Sequence, residues 1–203
     1  MPEYNHIKFE TCKQVYAPAE DTFLLADNLL VHKGDLVLEI GAGTGLVALN
    51  ASKTASKVVA TDINPHAIKC AQANTLLNEI ENMDIRQGDL FQPVADEKFD
   101  LILFNTPYLP SAEDEIIGDE LDAAWDGGVD GRRVIDLFLN EVRNYLNDKG
   151  IVQLVQSSLS NNGKTCQKLE EIGFEVEITA SERFFFEEIV VISGFLKEVV
   201  KSN

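Results

Sequence analysis

A chain of 203 residues that is 45% hydrophobic and 25% charged has the composition of one globular domain with a core of ordinary size. Its formal net charge of −17 argues against unaided binding to a nucleic-acid backbone, where affinity comes largely from Lys and Arg replacing counterions. No stretch approaches the ~20 apolar residues of a membrane span, and no apolar signal-peptide core stands at the start. Cys12, Cys70 and Cys166 have no metal-ligand spacing and read as reduced thiols of a cytoplasmic protein, two of them on helical faces. His6, His32 and His66 read as surface residues, and no metal site is expected.

Residues 1–20 read as an extended lead-in, with a short hairpin or strand over 7–16, and the whole chain as one domain, 1–203. A helix is expected over 22–31, started by the acids Glu20 and Asp21. The apolar run Leu36-Val37-Leu38-Glu39-Ile40 reads as a buried parallel strand and 57–61 as a second. Asn64-Pro65 signals a helix start, cap followed by proline at the first helical position, with Ala73, Leu76, Leu77 and Ile80 as its apolar face. Residues 83–87 and 101–104 supply a third and a fourth strand. Ile135, Phe138, Leu139, Val142 and Leu146 mark an amphipathic helix stopped by Asp148-Lys149-Gly150. A strand over 151–156, a helix over 163–172 ended by Gly173, and strands over 174–178 and 189–195 follow. The short link between the last two strands cannot hold a parallel crossover, so the sheet should finish with an antiparallel pair.

The chemistry collects where strands end. Gly41-Ala42-Gly43-Thr44-Gly45 follows a strand directly, where glycines let the backbone turn tightly and come close to a ligand. The pattern is Glu-x-Gly-x-Gly-x-Gly from Glu39, and Leu46 stands where a dinucleotide fingerprint wants glycine or alanine. Asp62 closes the next strand, where a carboxylate can accept both ribose hydroxyls of a nucleoside. Asp89, in Gln87-Gly88-Asp89-Leu90, stands where an adenine amino group can donate to it. Asn105-Thr106-Pro107-Tyr108 ends the strand over 101–104 with an amide side chain, a backbone carbonyl and an aromatic face. An amide oxygen and a carbonyl can accept both hydrogens of a planar NH2 group while the ring packs on the flat group carrying it. Such a device suits methylation of an amide or amino nitrogen.

These ordered motifs resemble those of class I S-adenosylmethionine-dependent methyltransferases. The segments Val15-Tyr16-Ala17-Pro18-Ala19-Glu20-Asp21-Thr22-Phe23-Leu24-Leu25 and Ala123-Ala124-Trp125-Asp126-Gly127-Gly128-Val129-Asp130-Gly131-Arg132 are similar to the HemK-type protein-glutamine methyltransferases, and match best the eukaryotic and archaeal branch that modifies class-1 release factors. The resemblance runs roughly from Tyr16 to Phe195. It implies an α/β fold: a seven-stranded, mostly parallel Rossmann-like sheet with an antiparallel C-terminal strand pair and helices on both faces. It implies S-adenosyl-L-methionine as cofactor, held by Thr22, Glu39, Gly41, Gly43, Gly45, Asp62, Ile63, Asp89, Leu90 and Asn105. Asn105, Thr106, Pro107 and Tyr108 form the implied catalytic set, and Trp125 either walls the substrate pocket or packs in the core. The implied reaction is methylation of the glutamine side-chain nitrogen in the Gly-Gly-Gln motif of a translation release factor, in the cytoplasm. The alternatives are a lysine or adenine amino group as acceptor, or a non-catalytic cofactor-binding subunit.

One departure stands out: the family usually has proline at the position of Thr106, which predicts a less rigid turn with the same backbone carbonyl. Bacterial members carry an N-terminal helical domain with no counterpart expected here. The shorter branch works with a small zinc-ribbon activator, so a heterodimer docked on the edge strand over 83–87 is expected, unless the charges of Asp84 and Arg86 protect that edge. Glu113, Asp114, Glu115, Asp119, Glu120, Asp122 and Asp126 form an acidic stretch that reads either as a solvated loop or as a surface steering a basic protein substrate.

Overall fold

The structure, a computed structural model, describes residues 1–111 and 125–197. A small hairpin of β1 (Glu3–Tyr4) and β2 (Ile7–Lys8) precedes helix α1 (Glu20–Asp27). Then come β3 (Leu36–Ile40), α2 (Leu46–Ser52), β4 (Lys57–Asp62), α3 (Pro65–Leu77), β5 (Met83–Gln87) and β6 (Phe99–Asn105). The chain closes with α4 (Arg133–Glu141), β7 (Leu146–Ser157), α5 (Asn162–Glu171), β8 (Phe174–Arg183) and β9 (Glu188–Leu196). The main sheet has seven strands in the order β5-β4-β3-β6-β7-β9-β8. The pairs from β5 to β7 are parallel, and β9 runs antiparallel to both β7 and β8. Both the Rossmann-like class and the antiparallel finish expected from the sequence are therefore present, with helices covering both faces.

This order has a consequence for function. From the central β3 the chain steps outward to β4 and β5, then returns to lay β6 against the other side of β3. At such a switch of direction the loops after neighbouring strands part and leave a crevice at their carboxyl ends. The inner strands are buried on both faces, with Val37, Leu38, Leu101, Ile102 and Leu103 at 0% exposure, so the floor of the crevice is rigid.

Several boundaries differ from those expected. The lead-in hairpin occupies 3–8, and residues 9–16 lie along α3 without a regular element. Helix α1 stops at Asp27, not 31: Asn28 turns its amide onto the Leu24 carbonyl at 2.8 Å, and the Gln153 side chain holds the Leu30 N–H and the Asn28 carbonyl in a non-helical path. On α3 the buried stripe is Ala67, Cys70, Ala71, Asn74 and Thr75, while Ala73 and Leu77 are exposed and Leu76 is 79% exposed. The polar members of that stripe are satisfied internally. Asn74 bonds the Glu10 N–H at 2.8 Å and the Thr44 carbonyl at 2.9 Å, clamping the lead-in and the glycine turn together. Helix α4 gives way to a 3-10 turn at Val142–Tyr145, and Leu146 already pairs with Phe99 in the sheet. Asp148-Lys149-Gly150 is thus an irregularity within β7, with Lys149 at φ 63°, and does not stop a helix.

The cysteine expectation is also overturned. Cys12 and Cys70 are joined by a disulfide across 58 residues, with Cα atoms 6.0 Å apart, and only Cys166 is free. Sequence spacing hides this pair because the lead-in folds back over α3, where Val15, Ala67 and Cys70 form a small apolar cluster with Cys12 packed against it. Cys12→Ser should lower the unfolding free energy by about 2–4 kcal/mol, the usual effect of opening a long loop. The readout is the urea midpoint, and a wild-type midpoint indifferent to reductant would contradict the bond.

Candidate active site

The crevice is a cavity of about 270 Å³ whose floor is the strand ends and whose walls are the lead-in, α1 and the loop before α4. Glu39, Gly41, Gly43, Thr22, Asp62, Ile63, Asp89, Leu90 and Asn105 all line it, as the sequence predicts. Gly41 at φ 71° and Gly43 at φ 55° carry the chain through left-handed turns that L side chains rarely adopt. Gly45, at φ 83°, does not line the cavity. A Cβ there would stand 3.1 Å from that of Ala71, so this glycine lets α2 approach α3. Its evident role in the fold is that packing.

Two acids set the electrostatics of this end. Asp62 ends β4 with one oxygen accepting the Gly43 N–H at 2.9 Å and the other the Asn64 N–H at 2.8 Å. Burial raises its pKa above the ordinary value, outweighing the Gly43, Asn64 and Ile63 N–H groups that lower it. Glu39 is 2% exposed and accepts the N–H of Ala48 in the first turn of α2 at 2.9 Å. That contact supplies the side-chain cap that Gly45 cannot. Burial pushes the Glu39 carboxyl well above its usual range, and Asp62 adds to the effect. Neither acid is paired with a Lys or Arg among the described residues. Both can therefore receive hydroxyl donors, and an anionic ligand is disfavoured here. Leu90 is held at φ 43° beside Asp89, a strained backbone at the place expected for the base.

The other end is built on Asn105, the last residue of β6. Its Nδ2 donates to Thr22 Oγ1 at 3.4 Å, while its Oδ1 is buried without a hydrogen-bond partner among the described residues. A buried acceptor left unpaired costs on the order of 1–3 kcal/mol unless a ligand supplies the donor. Thr22 is positioned in turn by Asp21, whose Oδ1 accepts the Thr22 N–H at 2.6 Å. Tyr108 donates its hydroxyl to the Asp21 Oδ2 at 3.2 Å. The Tyr108 ring is 8% exposed and packs in the main core, so it ties the turn after β6 to α1, and Pro107 takes the place on the cavity wall. Burial first, then Asp21, lifts the Tyr108 phenol far above its usual value, so it stays a donor.

Thr106 answers the question raised by its substitution for proline. Its N–H and hydroxyl both reach the Val155 carbonyl, at 3.3 and 2.7 Å, fastening the turn to β7. Proline has neither donor, so the expected loss of rigidity is made good by hydrogen bonds.

Beyond Leu109 the chain returns to the site at Trp125, whose carbonyl accepts the Leu109 N–H at 3.1 Å. Trp125 is not among the residues that line this cavity. Asp126 does line it, and it is no solvated acid: it is 4% exposed and pairs with Arg133 at 2.5 Å. Burial raises its pKa, but the Ser111 hydroxyl, the Gly128 N–H and Arg133 together hold it below the ordinary value. The other members of the acidic stretch lie outside the described residues. Sequence reasoning also missed Val15, Tyr16, Pro18 and Ala67 as wall residues. Tyr16 and Pro18 belong to the family-like segment, so that resemblance was the available signal. Val15 opens that same segment, and Ala67 alone carries no mark that could have singled it out.

A mostly parallel sheet with an antiparallel finish, a glycine turn after its central strand and an acid after the next together define the class of Rossmann-like methyltransferases. The comparisons with known proteins agree. Residues 8–122 match the family described as methyltransferase small domain. The chain is 48% identical over 194 residues to a Methanocaldococcus jannaschii protein assigned as a protein N5-glutamine methyltransferase, covering 95% of this chain and 98% of that one. It is 33% identical over 208 residues to the methyltransferase HEMK2 of Homo sapiens, covering 97% of this chain and 96% of that one. Among solved structures, the E. cuniculi Mtq2-Trm112 complex, responsible for methylation of the eRF1 translation termination factor, matches with a TM-score of 0.71 and 27% identity. That match covers 91% of this chain and 99% of that chain. The chain belongs to the methyltransferase small domain family, in its HemK-type branch, and is a methyltransferase.

The Asp126 pair gives this site a pH signature. A folded-state pKa below the unfolded value, ordinarily ~3.9, adds stability that is present above that value and is lost as pH falls through the depressed one. Asp126→Asn should therefore cost about 1–3 kcal/mol at pH 7, the scale of a broken charged hydrogen bond. The deficit should shrink as pH drops toward ~3. Urea unfolding of both proteins across that range is the check, and a deficit that does not change with pH would contradict the assignment.

Proposed function

We propose that this protein methylates the side-chain amide nitrogen of the glutamine in the Gly-Gly-Gln motif of a class-1 translation release factor, with S-adenosyl-L-methionine as donor. The observation that carries this reading is the buried, unpaired Oδ1 of Asn105 at the carboxyl edge of β6, beside a cavity lined with acids. The activities named for the M. jannaschii relative and for the Mtq2 complex support it. Such a substrate places the protein in the cytoplasm.

The residues present fit the donor. The turn at Gly41 and Gly43 leaves room for close approach, with no heavy atom within 4 Å of a Cβ built at Gly43. Asp62, already fixed by two backbone N–H groups, has lone pairs left for ribose hydroxyls. Ile63, Asp89 and Leu90 stand where the base would lie, and Thr22 where the methionine portion would pass. When bound, S-adenosyl-L-methionine supplies an electrophilic methyl group on a sulfonium.

The chain supplies position. An amide nitrogen is a poor nucleophile because its lone pair is delocalised into the carbonyl, so holding it in line is the main task. Asn105 Oδ1 accepts one of its hydrogens, and Thr22, by engaging Nδ2, keeps that oxygen turned toward the target. In this reading the Thr106 backbone carbonyl accepts the other hydrogen; Thr106 itself is buried against Val155 and does not line the cavity, whose wall Pro107 shapes. Tyr108 keeps the turn rigid through Asp21. The proton released on methylation leaves from one of the two N–H bonds so held.

A small activator protein, the zinc-ribbon type expected from the family, completes the reading. Strand β5 is the edge of the main sheet, and the largely exposed Leu76 sits on the helix that leads into it. The expected charges are there, but they pair with their own neighbours: Arg86 with Asp84 at 2.7 Å and with Glu97, and Asp84 with Lys57 at 3.3 Å. They leave the strand's outer main-chain groups as the natural contact for a partner strand.

Mass spectrometry of a release factor incubated with the protein and methyl donor tests the function: one added methyl group on the Gly-Gly-Gln glutamine is expected, and methylation of any other residue overturns it. Asp62→Ala should weaken donor binding by about 1.5–3 kcal/mol, the range for hydrogen bonds to a charged group. Because the Asp62 pKa is raised, wild-type binding should weaken as pH falls through that raised value, and the variant should lose this dependence. Calorimetry showing equal affinities would remove Asp62 from the site. Asn105→Ala should slow methyl transfer by roughly two to three powers of ten. Donor affinity should stay within about tenfold, since only one of several contacts is lost. Near-normal turnover would place the chemistry elsewhere.

A further inference from the structure

The turn joining β8 to β9, residues 184–187, is unlike any other surface among the described residues. Phe185 and Phe186 are 93% and 85% exposed and stack edge to face, with centroids 4.6 Å apart. Two adjacent aromatic rings offered to water are costly in a soluble protein and mark a contact surface. Beside them, Glu187 is only partly exposed, and its Oε2 is buried with no hydrogen-bond partner among the described residues. The Phe184 N–H donates to the Glu187 carbonyl at 2.8 Å, which fixes the turn.

Sheet register places this turn at the mouth of the active site. Asn105 pairs with Val155 on β7, and further along that strand Ser157 pairs with Ile189 on β9. The turn immediately before β9 therefore projects past the same carboxyl edge as Asn105, with only β7 between, a lateral distance of about 10 Å at ordinary strand spacing. Glu188, the first residue of β9, is fastened there by its N–H to Ser158 Oγ at 3.0 Å. The Glu187 carboxylate is also felt inside the site. After burial and Asp21, it helps push the Tyr16 phenol up to about 12, and it acts on Tyr108 as well.

Among the described residues no Lys or Arg pairs with Glu187 or Asp21, so this rim has unbalanced negative charge beside exposed aromatic rings. A buried carboxylate oxygen without a donor calls for one from outside the chain. We propose that the 184–187 turn is the docking element for the protein substrate: Phe185 and Phe186 pack on its apolar side chains, and Glu187 receives a Lys or Arg flanking the methylated residue. This rests on the release-factor reading for the identity of the substrate, and it adds the surface and residues that select it.

Steady-state methylation of the release factor and direct binding of that factor, measured with full-length variants, test the assignment. Phe185→Ser combined with Phe186→Ser, and separately Glu187→Gln, should each raise KM and weaken binding roughly tenfold or more, as expected for anchor residues. Turnover at saturation and donor affinity should stay unchanged, because no group touching the donor or the target nitrogen is altered. The Glu187→Gln defect should vanish against a release factor whose basic residues near the glutamine are neutralised. Variants that bind and methylate as the wild type does would overturn the docking assignment alone. A wild-type protein that binds the factor without methylating it, with binding lost in the variants, would overturn the function and sustain the docking surface. A wild type that does neither would overturn both.

Discussion

One unpaired oxygen organises this protein. Asn105 ends a largely buried strand with its Nδ2 engaged by Thr22 and its Oδ1 buried and unsatisfied among the described residues. Folding normally removes such groups, because each costs on the order of 1–3 kcal/mol. Here the surroundings prevent the amide from relieving itself. Asp21 fixes Thr22 on one side and Tyr108 on the other, and Thr106 is bonded to Val155. The result is an acceptor held ready for an N–H that no described residue supplies.

The electrostatics of the crevice point the same way. Glu39, Asp62 and Asp89 line it, and its one lining guanidinium among the described residues, Arg133, is engaged by Asp126. A sulfonium-bearing donor suits such a cavity, and a phosphate-rich one does not. The large negative charge of the chain also has structural uses: Asp84 is held by Lys57 and Arg86, and Asp136 by Arg132 and Lys164. These ionised carboxylates, together with Asp126, have pKa values held below the ordinary value by their partners, opposite in direction to Asp62 and Glu39 at the glycine turn. Acids that brace the fold are thus separable from acids that wait for a ligand.

Sequence made the strands and their order of duties legible because burial on both faces leaves a continuous apolar run, as in residues 36–40 and 101–104. It also exposed the turn glycines and the acid after β4, since backbone geometry and hydroxyl recognition each demand particular residue types. What it hid were features decided by partners distant in sequence. The inward face of α3 is set by Asn74 gripping Glu10 and Thr44, not by its leucines, so a search for apolar periodicity chose the wrong side. Cys12 meets Cys70 only because the lead-in folds over that same face. Asp126 is one acid in a run by sequence, and only the fold brings Arg133 and Ser111 around it. Gly45 resembled its neighbours in the motif, and only the nearness of Ala71 separates its packing role from theirs.

The most direct test is a crystal structure of the protein with the demethylated donor and the glutamine loop of a release factor. The account predicts the glutamine side-chain nitrogen at about 3 Å from Asn105 Oδ1, with the Thr106 carbonyl at a similar distance on its other hydrogen. A bound loop that leaves Asn105 Oδ1 unpaired, with the target nitrogen held by other groups, would contradict it.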